Sequence, residues 1–349
     1  MNRRGFLATL PVLAAVPRIL SAASANRSRI GICTFSCHQH WKAVEAKFEG
    51  VKFTDAPTFY RYARDLGAEG VQTSLRSADA AVAKRIRSLV EEDNGYFEGE
   101  LRLPKSESEV ADFALQVQLN REAGAEVARA VFTGSRRYET FQTLAEFRAF
   151  QAQAEKMLVL IEPILRKHRL RVAIENHKDH TVDELATLMR KFSSEWIGVL
   201  VDTGNNIALL DDPHTAVEAL APFALSTHFK DMAVQSCAQG FLLSEVPPGN
   251  GVLDLPRIIA ALQRANPRIV FNLEMATRDP LLVPCRTDTY FVTFPQRKAE
   301  RLESMMSWVK DHPAAQPVPR VTGKTIARIL TEEEANNRQS LIWMTKHIR

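Results

Sequence analysis

Eight short runs of apolar, often β-branched residues, most of them followed by a longer stretch of helical period, constrain this chain more than any other feature. The runs are Arg29–Phe35, Gly70–Leu75, Tyr96–Leu103, Ala128–Thr133, Arg171–Asn176, Gly198–Asp202, Leu225–Lys230 and Ile269–Met275. Runs of roughly four to eight residues suit strands buried on both faces. Between them, Phe141–His168, Thr181–Lys191 and Leu255–Ala265 carry apolar residues at helical spacing. Asp254 ahead of Leu255-Pro256 supplies a side-chain cap and then proline in the first turn. Strands that alternate with helices pair in parallel, and eight is the count that closes into a (β/α)8 TIM barrel. A doubly wound open sheet would call for a glycine-rich phosphate turn after an early strand, and the sequence has none.

The two ends fall outside this pattern. Residues 1–25 hold Arg3-Arg4-Gly5-Phe6-Leu7, an apolar stretch and then Ala23-Ser24-Ala25. That order resembles a twin-arginine signal peptide and predicts export to the periplasm, with cleavage after Ala25. The stretch is too short for a permanent membrane anchor. It carries three arginines and no acid, so its removal lowers the formal charge from +4 to +1. A nearly neutral chain gives no electrostatic reason to expect nucleic acid as a partner. Residues 26–312 are assigned to the barrel. Residues 313–349 read as a proline-rich linker followed by a helix from about Thr331 to Ile348, an appendage whose apolar members Leu341, Ile342, Met344 and Ile348 face the barrel or a second subunit of a homo-oligomer. Cys33, Cys37, Cys237 and Cys285 fit neither a zinc set nor a disulfide scaffold, and are expected to be buried thiols.

In a barrel, reacting groups converge at the C-terminal ends of strands. Four apolar runs end there in ionisable residues: Ile174-Glu175-Asn176-His177, Val201-Asp202-Thr203-Gly204-Asn205, Thr227-His228-Phe229-Lys230-Asp231 and Leu273-Glu274-Met275. An isolated buried carboxylate is costly, so each must be paired, protonated or bound to metal. The spacing places Glu175, Asp202, His228 and Glu274 on strands five to eight, with room for a long loop after strand seven. Three carboxylates in one mouth repel one another unless a cation sits between them. Mostly oxygen ligation with one imidazole favours a single divalent ion, Mn²⁺ first, with Mg²⁺, Co²⁺ and Zn²⁺ as alternatives. Such an ion beside a carbonyl and its neighbouring hydroxyl acidifies the adjacent C–H bond.

These strand ends resemble the metal-binding segments of the xylose-isomerase-like TIM-barrel superfamily of sugar isomerases and epimerases. Pro248-Gly249-Asn250-Gly251-Val252-Leu253-Asp254 is similar to that family's Gly-x-Gly-x-x-Asp segment before the last helix. The resemblance spans roughly Ile30 to Ser307. It implies Glu175, Asp202, His228 and Glu274 as metal ligands, Glu175 and Glu274 as the acid/base pair, and a sugar-like small-molecule substrate. Three positions depart from the ketose 3-epimerase pattern. Asn205 stands where those enzymes have histidine, Thr181 where they have glutamate, and Val234 where they have arginine.

His177, Lys230, Asn205, His38, His40 and Trp41 are the substrate-binding candidates around this set. Glu100 and Arg102 are expected to pair within the barrel, and Arg136 and Arg137 lie on the loop after strand four. The expected activity is isomerisation or epimerisation of a sugar or sugar derivative through an enediolate. A metal-dependent lyase, dehydratase or hydrolase acting on a keto-sugar or keto-inositol is the runner-up, and a non-catalytic metal-binding barrel the third reading. Nine histidines, few at strand ends, do not match the branch of the superfamily that cuts DNA with several zinc ions.

Overall fold

The structure, a computed structural model, describes residues 27–75 and 78–349, so the expected signal segment lies outside the described residues. All eight expected runs form strands: β1 (Arg29–Cys33), β2 (Gly70–Ser74), β3 (Tyr96–Glu100), β4 (Val127–Ala130), β5 (Arg171–Glu175), β6 (Ile197–Asp202), β7 (Ala224–Phe229) and, after two further strands, β10 (Val270–Leu273). They close in the order β1-β10-β7-β6-β5-β4-β3-β2, with every pairing parallel. The barrel interior is tightly filled. A Cβ on Gly31 would stand 1.7 Å from the Tyr96 hydroxyl, so the tyrosine can cross the interior only because residue 31 has no side chain.

The helices follow from their caps. Thr181 and Glu184 form a reciprocal capping box at the start of the helix Val182–Phe192, and Asp254 accepts from the backbone N–H of Arg257 to start Leu255–Ala265. The helix Leu144–His168 begins behind the Thr143 cap and packs Phe147, Met157, Leu158, Ile161 and Leu165 inward.

Two regions differ from the sequence expectation. The segment after β7 is largely a hairpin, β8 (Asp231–Cys237) with β9 (Gly240–Val246), joined by β11 (Leu281–Val283) into a three-stranded antiparallel sheet. Asp231 ties this hairpin to the Gly249-Asn250-Gly251 turn: its carboxylate accepts from the backbone N–H groups of Met232, Gly249, Gly251 and Leu253 at 2.8–3.2 Å. A Cβ on Gly251 would lie 2.2 Å from that carboxylate, which explains the glycine.

The last helix starts earlier than expected, at Ile326 behind a Thr325 cap, and runs to His347. It is part of the barrel wall, in contact with β1, β10 and the helices His38–Glu45 and Ala56–Leu66. Leu341, Met344 and Ile348 are buried, while Ile342 is exposed. Glu333, fully buried, accepts from the backbone N–H groups of Gln39 (2.8 Å) and His40 (3.0 Å) and pairs with His40 Nδ1 at 2.7 Å. The carboxylate thus serves the N–H groups that begin a neighbouring helix and have no partner within it. Among the described residues no helix is long and apolar enough to cross a membrane, and all four cysteines are free, three of them buried.

Candidate metal centre

Glu175 and Asp202 end β5 and β6, His228 is the penultimate residue of β7, and Glu274 follows β10 directly. Strand register sets Asp202 opposite His228, and one ligand atom from each of the four residues lies within 4.8 Å of the others. All four side chains are buried. The His228 Nδ1 atom is 3.3 Å from Glu274 Oε2, 3.7 Å from Glu175 Oε2 and 3.9 Å from Asp202 Oδ2.

A relay beneath the ring fixes its orientation. His228 Nε2 lies 2.7 Å from Gln72 Oε1, and the same amide donates through Nε2 to Glu98 Oε2 at 2.9 Å. Glu98 also accepts from Ser226 and Asn272. The amide nitrogen of Gln72 is thereby committed to a carboxylate, so its oxygen faces the imidazole and Nε2 carries the proton. Without a cation, burial opposes charging of the ring, but the surrounding acids outweigh it, push the ring well above its ordinary value and favour a second proton on Nδ1. A metal ion displacing that proton would meet the Nδ1 lone pair, aimed at the three acids.

The charges around the cluster are strongly coupled. Burial pushes the Glu175 carboxyl up, but Arg129, His228 and His177 outweigh it and hold the group at about 2. Arg129 Nε donates to Glu175 Oε2 at 2.6 Å, and Asn205 Nδ2 donates to Glu175 Oε1 at 2.9 Å. Glu274 is burdened by burial yet held well below the usual range by Lys230 and His228. Burial and the repulsion of Glu274 and Glu175 raise Asp202 to about 7, although Lys230 Nζ is 2.7 Å away. The His228 Nδ1 atom is buried and has no hydrogen-bond partner, and Asp202 Oδ2 faces the Lys230 ammonium. Crowded carboxylates and an unpartnered imidazole nitrogen aimed at them fit one divalent cation.

The remaining candidates separate into two groups. Lys230 and Asn205 join the centre: Lys230 Nζ is 2.6 Å from Glu274 Oε2 and 3.3 Å from Asn205 Oδ1, so its ion pairs run to the cluster and not to Asp231. His177 stands beside it, pushed down to about 4 by burial and by Lys178, with Nδ1 unpartnered. His38 stacks on Phe35 and lies 3.6 Å from Glu333. His40 is engaged by Glu333 and stacks on Phe53, and Trp41 packs against Phe53 and Phe59, so the contacts of these two run into the wall and not to the cluster. Arg102 does not pair with Glu100. Arg129 takes that place at 3.7 Å, because its position on β4 projects it between Glu100 and Glu175. Arg137 is buried between Glu184 and Thr293, and Arg136 pairs with Glu139.

Sequence reading did not find Arg129, Gln72, Glu98 or Lys178. The first three sit inside strands, where an inward polar residue looks like part of an alternating pattern. Lys178 was hidden within the polar segment Asn176–His180. The positions that depart from the ketose 3-epimerase pattern are otherwise engaged: Thr181 caps its helix, Val234 is buried in β8, and Asn205 binds Glu175.

Comparison with known proteins agrees with this geometry. The model of the xylose isomerase-like TIM barrel family matches residues 42–311. A curated 3-oxo-isoapionate decarboxylase of Pectobacterium atrosepticum is 26% identical over 106 residues, covering 30% of this chain and 38% of that protein. The match therefore spans well under half the length of that curated relative. D-psicose 3-epimerase crystallised with D-fructose superposes with a TM-score of 0.58 at 13% identity, covering 92% of this chain and 99% of that one. The probable 3-DHS dehydratase of Bacillus anthracis superposes with a TM-score of 0.51 at 14% identity, covering 81% and 98%. The barrel, the ordered strand-end residues and the family match agree: the chain belongs to the xylose isomerase-like TIM barrel family.

Proposed function

We propose that the protein is a divalent-metal-dependent isomerase or epimerase acting on a sugar or sugar derivative through an enediolate. The observation that carries this reading is the convergence of Glu175, at the end of β5, and Glu274, just after β10, on one buried cluster with Asp202 and the unpartnered Nδ1 atom of His228. Glu175, Asp202, His228 and Glu274 would hold the ion, which supplies Lewis acidity toward a substrate carbonyl and the neighbouring hydroxyl.

The chain's own residues divide the remaining work. One glutamate accepts the proton from the carbon next to the carbonyl, and the C–H electron pair moves to the carbonyl oxygen as the enediolate forms. The other glutamate, entering the step protonated, gives its proton to the opposite face to epimerise that carbon, or to the adjacent carbon to isomerise the substrate, and ends ionised. Arg129 and Lys230 hold the two carboxyl groups in place through contacts of 2.6 Å each. Lys230 also lies close enough to the cluster to offset charge developing on a substrate oxygen. The three-stranded sheet that follows β7, anchored through Asp231, brings Glu245 near Lys230.

A lyase or dehydratase is the second reading, in which a leaving group departs from the β-carbon of the same enediolate. It is favoured by the helix-capping role of Thr181, the burial of Val234 in β8 and the bond of Asn205 to Glu175, and by the name of the curated relative, a decarboxylase. Incubation of the metal-loaded protein with keto-sugars in D₂O tests both. Solvent deuterium in recovered substrate or isomer supports proton transfer, and deuterium in an unsaturated or shortened product supports the lyase. Absence of exchange across a broad panel contradicts both.

A further inference from the structure

Lys178 follows β5 by three residues and is only 6% exposed. Its ammonium forms no ion pair among the described residues and donates to Asn205 Oδ1. Lys230 Nζ reaches the same amide oxygen at 3.3 Å. Two buried ammonium groups therefore converge on one neutral acceptor, an arrangement that costs free energy unless a negative charge joins them. The nearby acids are already committed. Lys230 lies against Asp202 and Glu274, Glu175 binds Arg129, and Glu245 is paired with Arg278. Lys178 is repelled by both Lys230 and Arg278.

Charge balance points the same way. Glu175, Asp202, Glu274, Glu245 and Glu100 face Arg129, Lys178, Lys230 and Arg278, so these groups carry a formal charge of −1 together. A divalent ion among the first three acids would bring this sum to +1, and an anionic ligand offsets it.

We propose that Lys178 and Lys230, held together on Asn205, form a subsite for a carboxylate, so that the substrate is a sugar acid with a keto group and not a neutral sugar. The proposal rests on the metal-centre reading above and deepens it. A carboxylate has one charge and two acceptor oxygens for two ammonium donors. One end of the substrate would be fixed at the lysine pair while its carbonyl faces the metal ligands.

Calorimetric titration of the Mn²⁺-loaded full chain tests this with D-fructuronate and D-tagaturonate, their neutral counterparts D-fructose and D-tagatose, and a ketose phosphate. The expected result is at least about tenfold tighter binding of the keto acids than of the matched ketoses, the scale of one charge-assisted hydrogen bond. Lys178→Gln should remove most of that preference and Lys178→Arg should keep it, with circular dichroism reporting whether each variant folds. Should Lys178→Gln fail to fold, the wild-type preference and its retention in Lys178→Arg decide the matter. Equal binding of acid and ketose, no binding of either keto acid, tightest binding of the ketose phosphate, or a preference that survives in folded Lys178→Gln would each overturn the proposal. Metal content measured on the same samples separates the outcomes: a loaded protein without the preference loses only the anion subsite, whereas a protein that retains no metal contradicts the centre itself.

Discussion

Gln72 holds the Nε2 side of His228 at 2.7 Å, and this single contact turns Nδ1 toward three carboxylates. The orientation depends in turn on Glu98, which claims the Gln72 amide nitrogen. Gln72→Leu removes the acceptor and should weaken metal retention by about 10- to 100-fold, the usual cost of losing a partner behind a ligating histidine. Chelator competition measures this. Affinity unchanged in a folded Gln72→Leu protein would show that the ring is oriented by something else.

The C-terminal helix should be indispensable to the fold. Glu333 is fully buried and serves two backbone N–H groups and the His40 ring. Glu333→Ala leaves those donors buried without acceptors and should cost about 3–5 kcal/mol. Urea denaturation would show the loss, and a change below about 1 kcal/mol would mean that the helix is only loosely attached.

The barrel was legible in the sequence because its strands are apolar runs that alternate with amphipathic helices. The four residues of the candidate centre were legible because each interrupts or ends such a run. The supporting residues were not. Arg129 and Glu98 lie within strands, and only closure of the barrel reveals which groups they meet across it. The hairpin 231–246 was read as part of a loop because its strands pair with each other outside the barrel. The helix beginning at Ile326 was read as an appendage because its buried polar residues, Glu333, Asn337 and Ser340, break the apolar stripe. Those residues bind their partners through hydrogen bonds: Asn337 donates to Ser36 O and Ser340 to Asn336 O.

The hairpin beside the mouth should loosen in acid. Glu245 on β9 is burdened by burial but held below the ordinary carboxylate range by Arg278. A depressed folded-state pKa means that its stabilisation is fully present above the unfolded value of about 4.3 and is lost as pH falls through the lower folded value. Glu245→Gln should therefore lower stability by about 1–3 kcal/mol at neutral pH. The gap between variant and wild type should narrow as pH falls below about 4.3. Thermal melts of both proteins across this range measure it, and a gap that widens in acid would have the wrong sign.

The account stands on one shared cation at Glu175, Asp202, His228 and Glu274. Elemental analysis of the purified full chain, dialysed after exposure to Mn²⁺, tests it most directly. The account predicts about one divalent ion per chain, with retention lost in Asp202→Ala and His228→Ala and weakened in Glu274→Gln. Folded variants that all keep the wild-type metal content would contradict it.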